Sequence, residues 1–388
     1  MSNSYTKTTR NSWWSRIANS FMGVLFGFVL IPLSIWGLWW NEGQPDLSVI
    51  AQSSIAVDAT QVNPDTEGQF VAVTGTLQST TTLADDPWMA PGDYISLYRR
   101  VEMYAWEEST STTETEDTIG GGSTTTTTYS YNKTWTESPQ TSSNFEYPAG
   151  HENPSKPLDS LSQSAEKAKI GAYDIAAQQI TLPSGNRITP QPGTLPDGYV
   201  LQGEYIYNRA AAASNPEIGD IRISIDALQS GITVTALGQQ RGKSIARQEV
   251  DKQEFYRVFI GSRDDAIETL HNEYLIRIWL IRIFGILGIF IGLQLIVGPI
   301  GRILGVIGIL GKAVDGIFGL INAVLALVIG LAVIIISQIF HNIWLLLITI
   351  ALIVAVVVYF LRKRSNKLGA IPDAPTDAPT DTSPPQMT

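Results

Sequence analysis

The sequence predicts an α+β membrane protein with four membrane-spanning helices and a large β-rich extramembrane domain inserted between span 1 and span 2. The 388 residues are 44% hydrophobic and only 16% charged, and their mean hydropathy of +0.07 is high for a soluble domain. Four apolar runs approach the ~20 residues that a helix needs to cross a bilayer. Between the first two runs lies a long stretch rich in β-branched and aromatic residues, which favours strands.

The chain begins with an expected cytoplasmic N-terminus, residues 1–20, followed by span 1, residues 21–40. Span 1 has no charged residue, and Trp pairs at 13–14 and 39–40 bound it. As a helix the two pairs lie ~37 Å apart, which matches the two headgroup layers. Lys7, Arg10 and Arg16 raise the alternative of a cleaved signal peptide. Since the run is too long and lacks a small-x-small cleavage site, we expect an uncleaved anchor.

Residues 41–270 form the predicted periplasmic or luminal β-rich domain. They contain 31 Asp and Glu against 15 Lys and Arg, a net charge of −16. This charge predicts repulsion of nucleic acid and of anionic lipid headgroups, so no nucleic-acid partner is expected. The chain has no Cys, so the domain must be stabilised by packing without disulfides.

Alternation of apolar and polar residues predicts strands at six places in this domain, namely 68–78, 94–106, 124–137, 199–208, 219–228 and 231–238. In the second of these, Leu97, Val101 and Met103 share one face. The Ser/Thr/Gly-rich stretch 109–123 is interpreted as a long hairpin tip. Helix is expected around 157–168, and again in 263–276, which leads into the membrane.

The C-terminal third carries the other spans. Their expected divisions are a juxtamembrane helix and span 2 (271–298), an interfacial or re-entrant segment (299–315), span 3 with a turn (316–342), span 4 (343–361), and a cytoplasmic basic stop with a disordered tail (362–388). Arg282 lies near the start of span 2, where its long side chain is expected to reach the headgroups.

Basic residues give the expected orientation. Nine of them precede span 1, lie between spans 2 and 3, or follow span 4, so an even number of crossings places all nine on one face. By the positive-inside rule that face is the cytoplasm, and residues 41–270 lie across the membrane. Arg277 and Arg282 are the two exceptions.

Several motifs resemble those of the transmembrane protein 43 (LUMA) family in order and spacing. They are NEG (41–43), RRVEMYAW (99–106), YSYNKTW (129–135), NF (144–145), GHENPS (150–155), GDIRIS (219–224) and QRG (240–242). The motif residues singled out are Asn41, Glu42, Gly43, Arg100, Glu102, Tyr104, Trp106, Tyr131, Asn132, Trp135, His151, Asn153 and Pro154.

This resemblance implies one N-terminal span, a large luminal or periplasmic domain and a C-terminal group of spans. Animal members of the family are linked to the endoplasmic reticulum and inner nuclear membrane, to lamin and emerin binding, and to the organisation of membrane protein complexes. The lack of Cys and the compact loops favour a bacterial member, and hence a bacterial inner membrane; a eukaryotic member would occupy the endoplasmic reticulum or inner nuclear membrane. The family implies no catalytic residues.

The residues themselves predict no catalytic, cofactor or metal site. His151 and Glu152 are adjacent, but no further ligand clusters near them, so a turn is the simpler interpretation. The acidic residues Glu114, Glu116 and Asp117 lack an EF-hand register. The pairs at 85–86 and 264–265 are interpreted as turn and helix-cap acids.

Small residues in the apolar runs predict close helix packing or self-association. Three GxxxG pairs occur: Gly23 and Gly27, Gly288 and Gly292, Gly301 and Gly305. Gln294 and Asn322 are uncharged and polar, which suits an interhelical hydrogen bond better than an ion path.

The sequence therefore predicts a non-enzymatic membrane scaffold that contacts membrane lipid, forms a homo-oligomer and organises membrane protein complexes with partners it does not identify. A channel or carrier built from the Gly-rich spans, and an outward-facing hydrolase, are the alternatives.

Overall fold

The computed structural model describes residues 3–117, 122–304 and 308–368. In these ranges the helices are α1 (Trp13–Glu42), α2 (Leu47–Ala51), α3 (Arg263–Leu304), α4 (Gly308–His341) and α5 (Ile343–Leu368). The strands are β1 (Ser4–Asn11), β2 (Ile55–Asp58), β3 (Phe70–Ser79), β4 (Leu83–Asp85), β5 (Met89–Gly92), β6 (Tyr94–Glu116), β7 (Ser123–Thr136), β8 (Leu161–Ser164), β9 (Ala168–Ile170), β10 (Tyr173–Ile175), β11 (Asn186–Ile188), β12 (Val200–Gln202), β13 (Tyr205–Tyr207), β14 (Ile221–Gln229), β15 (Thr233–Arg241), β16 (Ser244–Ala246), β17 (Gln248–Val250), β18 (Gln253–Phe255) and β19 (Arg257–Ile260).

Three described helical stretches are long and apolar enough to cross a membrane: Phe21–Ala51, Arg263–Ile300 and Gly316–His341. They coincide with predicted spans 1, 2 and 3. The fourth predicted span falls on α5, whose apolar stretch Ile343–Tyr359 is shorter. The apolar helices occur together with a β-rich domain, as the sequence predicts.

The helices α1, α3 and α4 pack on one another. The C-terminal ends of α1 and α4 lie together, where Ser337 donates to the carbonyl oxygen of Trp39, and α3 runs in the opposite direction. Leu38 and Ile289 are fully buried between them, with Ala326 and Ile334 of α4. Residues 299–304 continue α3, and residues 308–315 begin α4, while 305–307 lie outside the described residues. The expected interfacial or re-entrant helix is therefore divided between two long helices.

The first sheet of the β-rich domain has the strand order β1-β7-β6-β14-β13-β12, with β11 paired to β14 and β8 paired to β6. Leu97, Val101 and Met103 are buried on its inner face, as the alternation in the sequence predicts. The predicted strand 199–208 is two short strands, because Gly203 takes a positive φ of 62° and turns the chain between β12 and β13.

The second sheet has the order β19-β15-β16-β10-β9-β3-β2. Since β15 also pairs with β3, five of its strands close into a ring. Val73, Ile170 and Tyr173 lie in the core that this ring encloses.

The outer domain is fastened to the membrane helices through the first turns of α3. Ala266 and Leu270 of α3 pack with Ala51 of α2 against Leu237 and Phe259 of the second sheet. The helix predicted at 263–276 is confirmed, and it continues without interruption into the apolar part of α3.

Two local predictions are wrong. Residues 157–168 contain no helix, because β8 pairs with β6 from Ser96↔Ser164 to Arg99↔Leu161 and this long-range pairing overrides local propensity. The stretch 109–123 is not a simple tip either: β6 continues to Glu116, and β7 begins at Ser123. We call the paired stretches 107–116 and 123–132 the arm; residues 118–121 lie outside the described residues.

Candidate functional site

The first group of motif residues, Asn41, Glu42 and Gly43, ends α1 and joins it to the other membrane helices. The side-chain amide of Asn41 donates to the carbonyl oxygen of Ile278 at 3.2 Å. The side chain of Glu42 is almost fully buried, and both its carboxylate oxygens accept hydrogen bonds from Arg282 at 2.7 Å. This bidentate geometry is the strongest form of the Arg–carboxylate interaction.

Arg282 therefore has a counter-charge that the sequence did not indicate. A guanidinium without a counter-charge is costly near lipid, and the buried carboxylate of Glu42 on the neighbouring helix neutralises it. Gln338 of α4 also donates to Glu42, at 3.0 Å. The three helices consequently meet at one carboxylate.

Gly43 is required at its position because His341 of α4 lies against it. A Cβ on Gly43 would sit 2.5 Å from Nε2 of His341. That ring is held in place, since its Nδ1 lies 2.9 Å from the carbonyl oxygen of Ser337 and the Ser337 hydroxyl donates to the carbonyl oxygen of Trp39. The motif thus forms a junction at one end of the bundle.

A second group of motif residues forms an aromatic cluster at the base of the arm, which we define as Trp106, Tyr131, Phe145, Tyr147 and His151. Tyr131 and His151 are fully buried and stack with ring centroids 3.9 Å apart. Trp106 meets His151 edge-on at 4.8 Å. These geometries are the favourable ones for aromatic pairs.

The hydroxyl of Tyr131 donates to Glu108, a residue that the motif analysis did not single out. The same Glu108 oxygen accepts from the backbone N–H of Glu146 at 2.8 Å. Burial, reinforced by the hydrogen bond to Glu108, raises the pKa of Tyr131 to about 12. Glu108 could not be found from the sequence because an acid on a strand usually faces water.

His151 is a packing residue in this cluster. Its Nδ1 lies 3.1 Å from the carbonyl oxygen of Tyr147, so Nδ1 carries the proton, and the buried Nε2 has no hydrogen-bond partner. Glu152 points elsewhere and accepts from the backbone N–H of Gly150 at 2.9 Å. In the part of the chain that the structure describes, no group of three His, Asp or Glu side chains could hold a metal ion.

Asn153 and Pro154 connect the GHENPS turn to two other motifs. The Asn153 side chain accepts from the N–H of Trp106 at 2.7 Å and donates to its carbonyl oxygen at 2.8 Å. The side chain therefore pairs with both backbone hydrogen-bonding groups of this strand-edge residue, as a neighbouring strand would. Pro154 lies against Gly219, whose positive φ of 94° and lack of Cβ both permit this close approach.

The remaining motif residues line one face of the first sheet. Arg222 lies between the rings of Trp135 and Tyr205, at 4.9 and 4.7 Å, while its Nε donates to Glu102 at 2.7 Å. Tyr104 packs beside Trp135 with ring centroids 5.3 Å apart. This alternation of rings and guanidinium groups stabilises the face by cation–π contact.

Arg100 extends this face and donates to Glu137 at 2.9 Å. Burial opposes ionisation of Glu137, but hydrogen bonds from Ser160 and Tyr98, with the charge of Arg100, lower its pKa overall. Asn132, by contrast, is exposed and lies opposite Glu107 on β6. No contact described for it explains its place in the motif.

The acids predicted to serve as turn or cap residues have different roles. Asp265 accepts from the N–H of Ser262 at 2.7 Å, so it is a helix-cap acid as expected. Asp85 begins a turn as expected, because its carbonyl oxygen accepts from the N–H of Trp88 at 2.7 Å. Its side chain is also buried and accepts two hydrogen bonds from Arg99, at 2.8 and 3.0 Å. The partner is 14 residues away on another strand, which local sequence does not show.

The glycine pairs that fall on described side-chain positions lie in the contact between α1 and α3. A Cβ on Gly27 would meet the carbonyl oxygen of Gly292 at 2.6 Å, and one on Gly288 would meet Ser34 at 2.2 Å. Gly23 lies against Leu295. Gly301 is the fourth residue from the end of α3, and Gly305 lies outside the described residues.

The polar pair Gln294 and Asn322 forms the predicted interhelical hydrogen bond, in which the Asn322 side-chain amide donates to the side-chain oxygen Oε1 of Gln294 at 2.8 Å. The apolar helices, their shared polar junction and the attached β-rich domain define an integral membrane protein with a large extramembrane domain.

A family model described as Transmembrane protein 43 matches residues 103–343, more than half of the chain. The chain is 26% identical to Transmembrane protein 43 of Homo sapiens over 303 residues, which cover 72% of this chain and 74% of the human protein. It is 29% identical to the Transmembrane protein 43 homolog of Drosophila melanogaster over 240 residues, which cover 57% of this chain and 61% of the fly protein. No solved structure matches the chain. The chain belongs to the transmembrane protein 43 family.

Proposed function

We propose that this protein is a non-enzymatic, multi-pass membrane scaffold that associates with copies of itself and organises membrane protein complexes. Both termini lie in the cytoplasm, and residues 41–270 lie across the membrane. In a bacterial cell this placement is the periplasmic face of the inner membrane; in a eukaryotic cell it is the lumen of the endoplasmic reticulum and inner nuclear envelope.

The observation that carries the proposal is the fixed attachment of the outer domain to the membrane helices. One uninterrupted helix, α3, packs on the second sheet at Ala266 and Leu270 and then continues into the apolar bundle. The Glu42–Arg282 pair locks α1 to α3 beside that attachment. A domain held at one angle above the bilayer can align partners, which a domain on a loose linker cannot do.

The exposed apolar side chains of α5 offer a surface for self-association. Its described apolar side chains, Ile343–Tyr359, are nearly all exposed, whereas α1, α3 and α4 share a buried core. Asn342 caps α5 by accepting from the N–H groups of Trp344 and Leu345, so α5 begins as a separate helix after α4. Ala351 and Ala355 give this exposed helix a small-xxx-small face.

The test is the size of the protein in mild detergent, together with crosslinking in native membrane. We expect a dimer or larger assembly, and a shift toward monomer in Ala351→Leu/Ala355→Leu. The matched control is Ile353→Leu on the same helix, which adds no volume. A wild-type protein that is monomeric in detergent and uncrosslinked in membrane would contradict self-association.

A channel or carrier is the second candidate. It would require polar side chains that face a path, but Gln294 and Asn322 hydrogen-bond to each other instead. Ion flux through reconstituted vesicles would favour this candidate. An outward-facing hydrolase would require a metal ion retained through purification and turnover that a chelator abolishes.

A further inference from the structure

A polar cavity of about 320 Å³ lies on the face of the first sheet that carries Arg100. The strand register places Tyr98 of β6 between Ser162 of β8 and Asp226 of β14 on this face. Residues 182–185, which precede β11, form the side wall. The cavity lies within the outer domain, so its shape does not depend on how the helices cross a membrane.

Packing holds the side wall in place, so the cavity is preformed. A Cβ on Gly185 would lie 2.4 Å from the carbonyl carbon of Ala227, which shows that the wall rests directly on β14. Leu182 packs against the core that the second sheet encloses. A volume of about 320 Å³ is within the range of small-molecule sites, and a preformed site loses less entropy when a ligand binds.

Two charged groups of the cavity have unused hydrogen-bonding capacity. Asp226 accepts from Nε of Arg187 through Oδ1 at 2.5 Å, whereas its Oδ2 lies 3.7 Å from Nη2 of Arg100. That separation is too long for a hydrogen bond, and neither of these two atoms has another partner among the residues that the structure describes. An acceptor and a donor side by side suit two neighbouring hydroxyl groups of one ligand, one donating to Asp226 and the other accepting from Arg100.

Next to Arg100, two further polar atoms are available. Ser224 lies opposite Arg100 in the register of β14 and β6 and is only 1% exposed. Its hydroxyl group and Nε of Arg100 are both buried, and neither has a hydrogen-bond partner in the described part of the chain. Because buried polar groups are nearly always hydrogen-bonded, these atoms favour a polar ligand over an apolar one.

The lining favours a ligand that is uncharged and rich in hydroxyl groups. Of the described lining residues, only Arg100 and Asp226 are charged, and their charges cancel. Arg187 also pairs with Asp226, and Glu137 pairs with Arg100 at 2.9 Å. An ionic ligand would therefore have to compete with an existing ion pair. Serine hydroxyl groups, which can both donate and accept, line the cavity at Ser96, Ser162, Ser164 and Ser184.

We propose that this cavity binds a neutral saccharide. Neighbouring ring hydroxyl groups of the sugar hydrogen-bond to Asp226 and Arg100, and further hydroxyl groups meet the serine side chains. The apolar C–H face of the ring lies against Leu182 and Pro183, which are the apolar part of the wall. An apolar ligand would leave the polar lining unpaired, which is costly. Saccharide binding goes beyond the scaffold role and does not require self-association.

The probes are maltose, N,N′-diacetylchitobiose and methyl α-mannoside, and saturation-transfer NMR measures their binding to the full-length protein in a detergent without a sugar headgroup. We expect saturable binding of at least one probe. Ser162→Trp, at an exposed strand position, fills the cavity and should weaken that binding at least tenfold. The matched control is Ser111→Trp, at an exposed strand position of the arm, which should bind as the wild type does. Circular dichroism confirms that each variant is folded. Binding of none of the probes by the wild type, or binding unchanged in Ser162→Trp, overturns the proposal.

A second measurement tests the chemistry of recognition. Asp226→Asn keeps the shape of the side chain but removes its charge, and a charged acceptor forms the stronger hydrogen bond. We expect about tenfold weaker binding of the sugar by this variant, and a folded variant that binds as the wild type does would overturn the role of Asp226. Glucuronate and glucosamine, an anionic and a cationic sugar, should bind more weakly than the best neutral probe. Tighter binding of either would mean that the ligand is ionic and would overturn the proposal. The oligomer size of the same samples tests the scaffold separately, because Ser162→Trp leaves the membrane helices unchanged.

Discussion

At the scale of single residues, the motif is explained by contacts between distant parts of the chain. Asn153 hydrogen-bonds to the backbone N–H and carbonyl oxygen of Trp106, which is 47 residues earlier. Pro154 fits against position 219 only because that residue is Gly. The sequence shows that these residues occur together in order, but spacing along the chain does not indicate which of them touch. Glu108 was missed because an acid on a strand usually faces water, and the sequence does not show that it accepts from Tyr131.

Replacement of Asn153 by Ala should destabilise the outer domain. The change leaves the N–H and the carbonyl oxygen of Trp106 without their partner, and an unpaired buried group costs about 1–3 kcal/mol. Denaturant unfolding followed by tryptophan fluorescence measures the loss. Asn186→Ala, at an exposed position on β11, is the control and should change stability by less than about 0.5 kcal/mol. Equal effects of the two changes would contradict the role of Asn153.

The raised pKa of Tyr131 predicts that the outer domain loses stability at high pH. Its pKa is raised to about 12, from an unfolded value of about 10. The neutral hydroxyl is therefore favoured in the folded state, so its contribution is present in full below pH ~10 and is lost as the pH rises toward 12. We expect Tyr131→Phe to make the stability of the domain less dependent on pH in that window, as measured by thermal unfolding. An unchanged pH profile would show that Tyr131 ionises as a free tyrosine does.

At the scale of secondary-structure elements, the long apolar helices were predictable because lipid imposes length and composition on every span. The strands 68–78, 94–106 and 219–228 were predictable from alternation. The extension of β6 into the arm was not, because Thr, Ser and Glu on both faces give no alternation and the strand is stabilised by its pairing with β7. Helix was wrongly expected at 157–168 because pairing with β6 decides the structure there.

Because α1 packs against α3, alanine substitutions at two glycines of α1 should affect stability differently. In Gly27→Ala the new Cβ would lie 2.6 Å from the carbonyl oxygen of Gly292, a backbone atom that can move only with its helix. In Gly37→Ala nothing lies within 4 Å. We expect Gly27→Ala to cost about 1–3 kcal/mol by overpacking and Gly37→Ala to be neutral. Thermal unfolding in detergent compares them, and an equal loss would contradict the packing described.

Because Glu42 and Arg282 form an ion pair, the effects of substituting them on stability should not add. Glu42→Ala leaves Arg282 partly buried without its counter-charge, which costs about 3–5 kcal/mol. Glu42→Gln with Arg282→Met removes both charges and should restore much of that loss. The two residues are 240 positions apart, so only the fold reveals the pair. A double variant as unstable as Glu42→Ala would contradict a simple ion pair.

At the scale of the whole molecule, α3 connects the outer domain directly to the helix junction at Glu42 and Arg282. The sequence predicted the order of its parts, because composition changes sharply at each membrane boundary. It did not predict that α5 would remain outside the buried core of the bundle, since hydropathy records transfer into lipid and not contacts between helices.

The orientation of the chain is tested most directly with two single cysteines in this Cys-free sequence. Ser155→Cys lies at an exposed position of the outer domain, and Ser365→Cys lies near the end of α5. An impermeant maleimide applied to intact cells, or to right-side-out vesicles for an organelle membrane, should label Ser155→Cys at once. Ser365→Cys should be labelled only after permeabilisation. Labelling of Ser365→Cys but not Ser155→Cys would contradict the orientation, and labelling of both would mean that α5 does not cross.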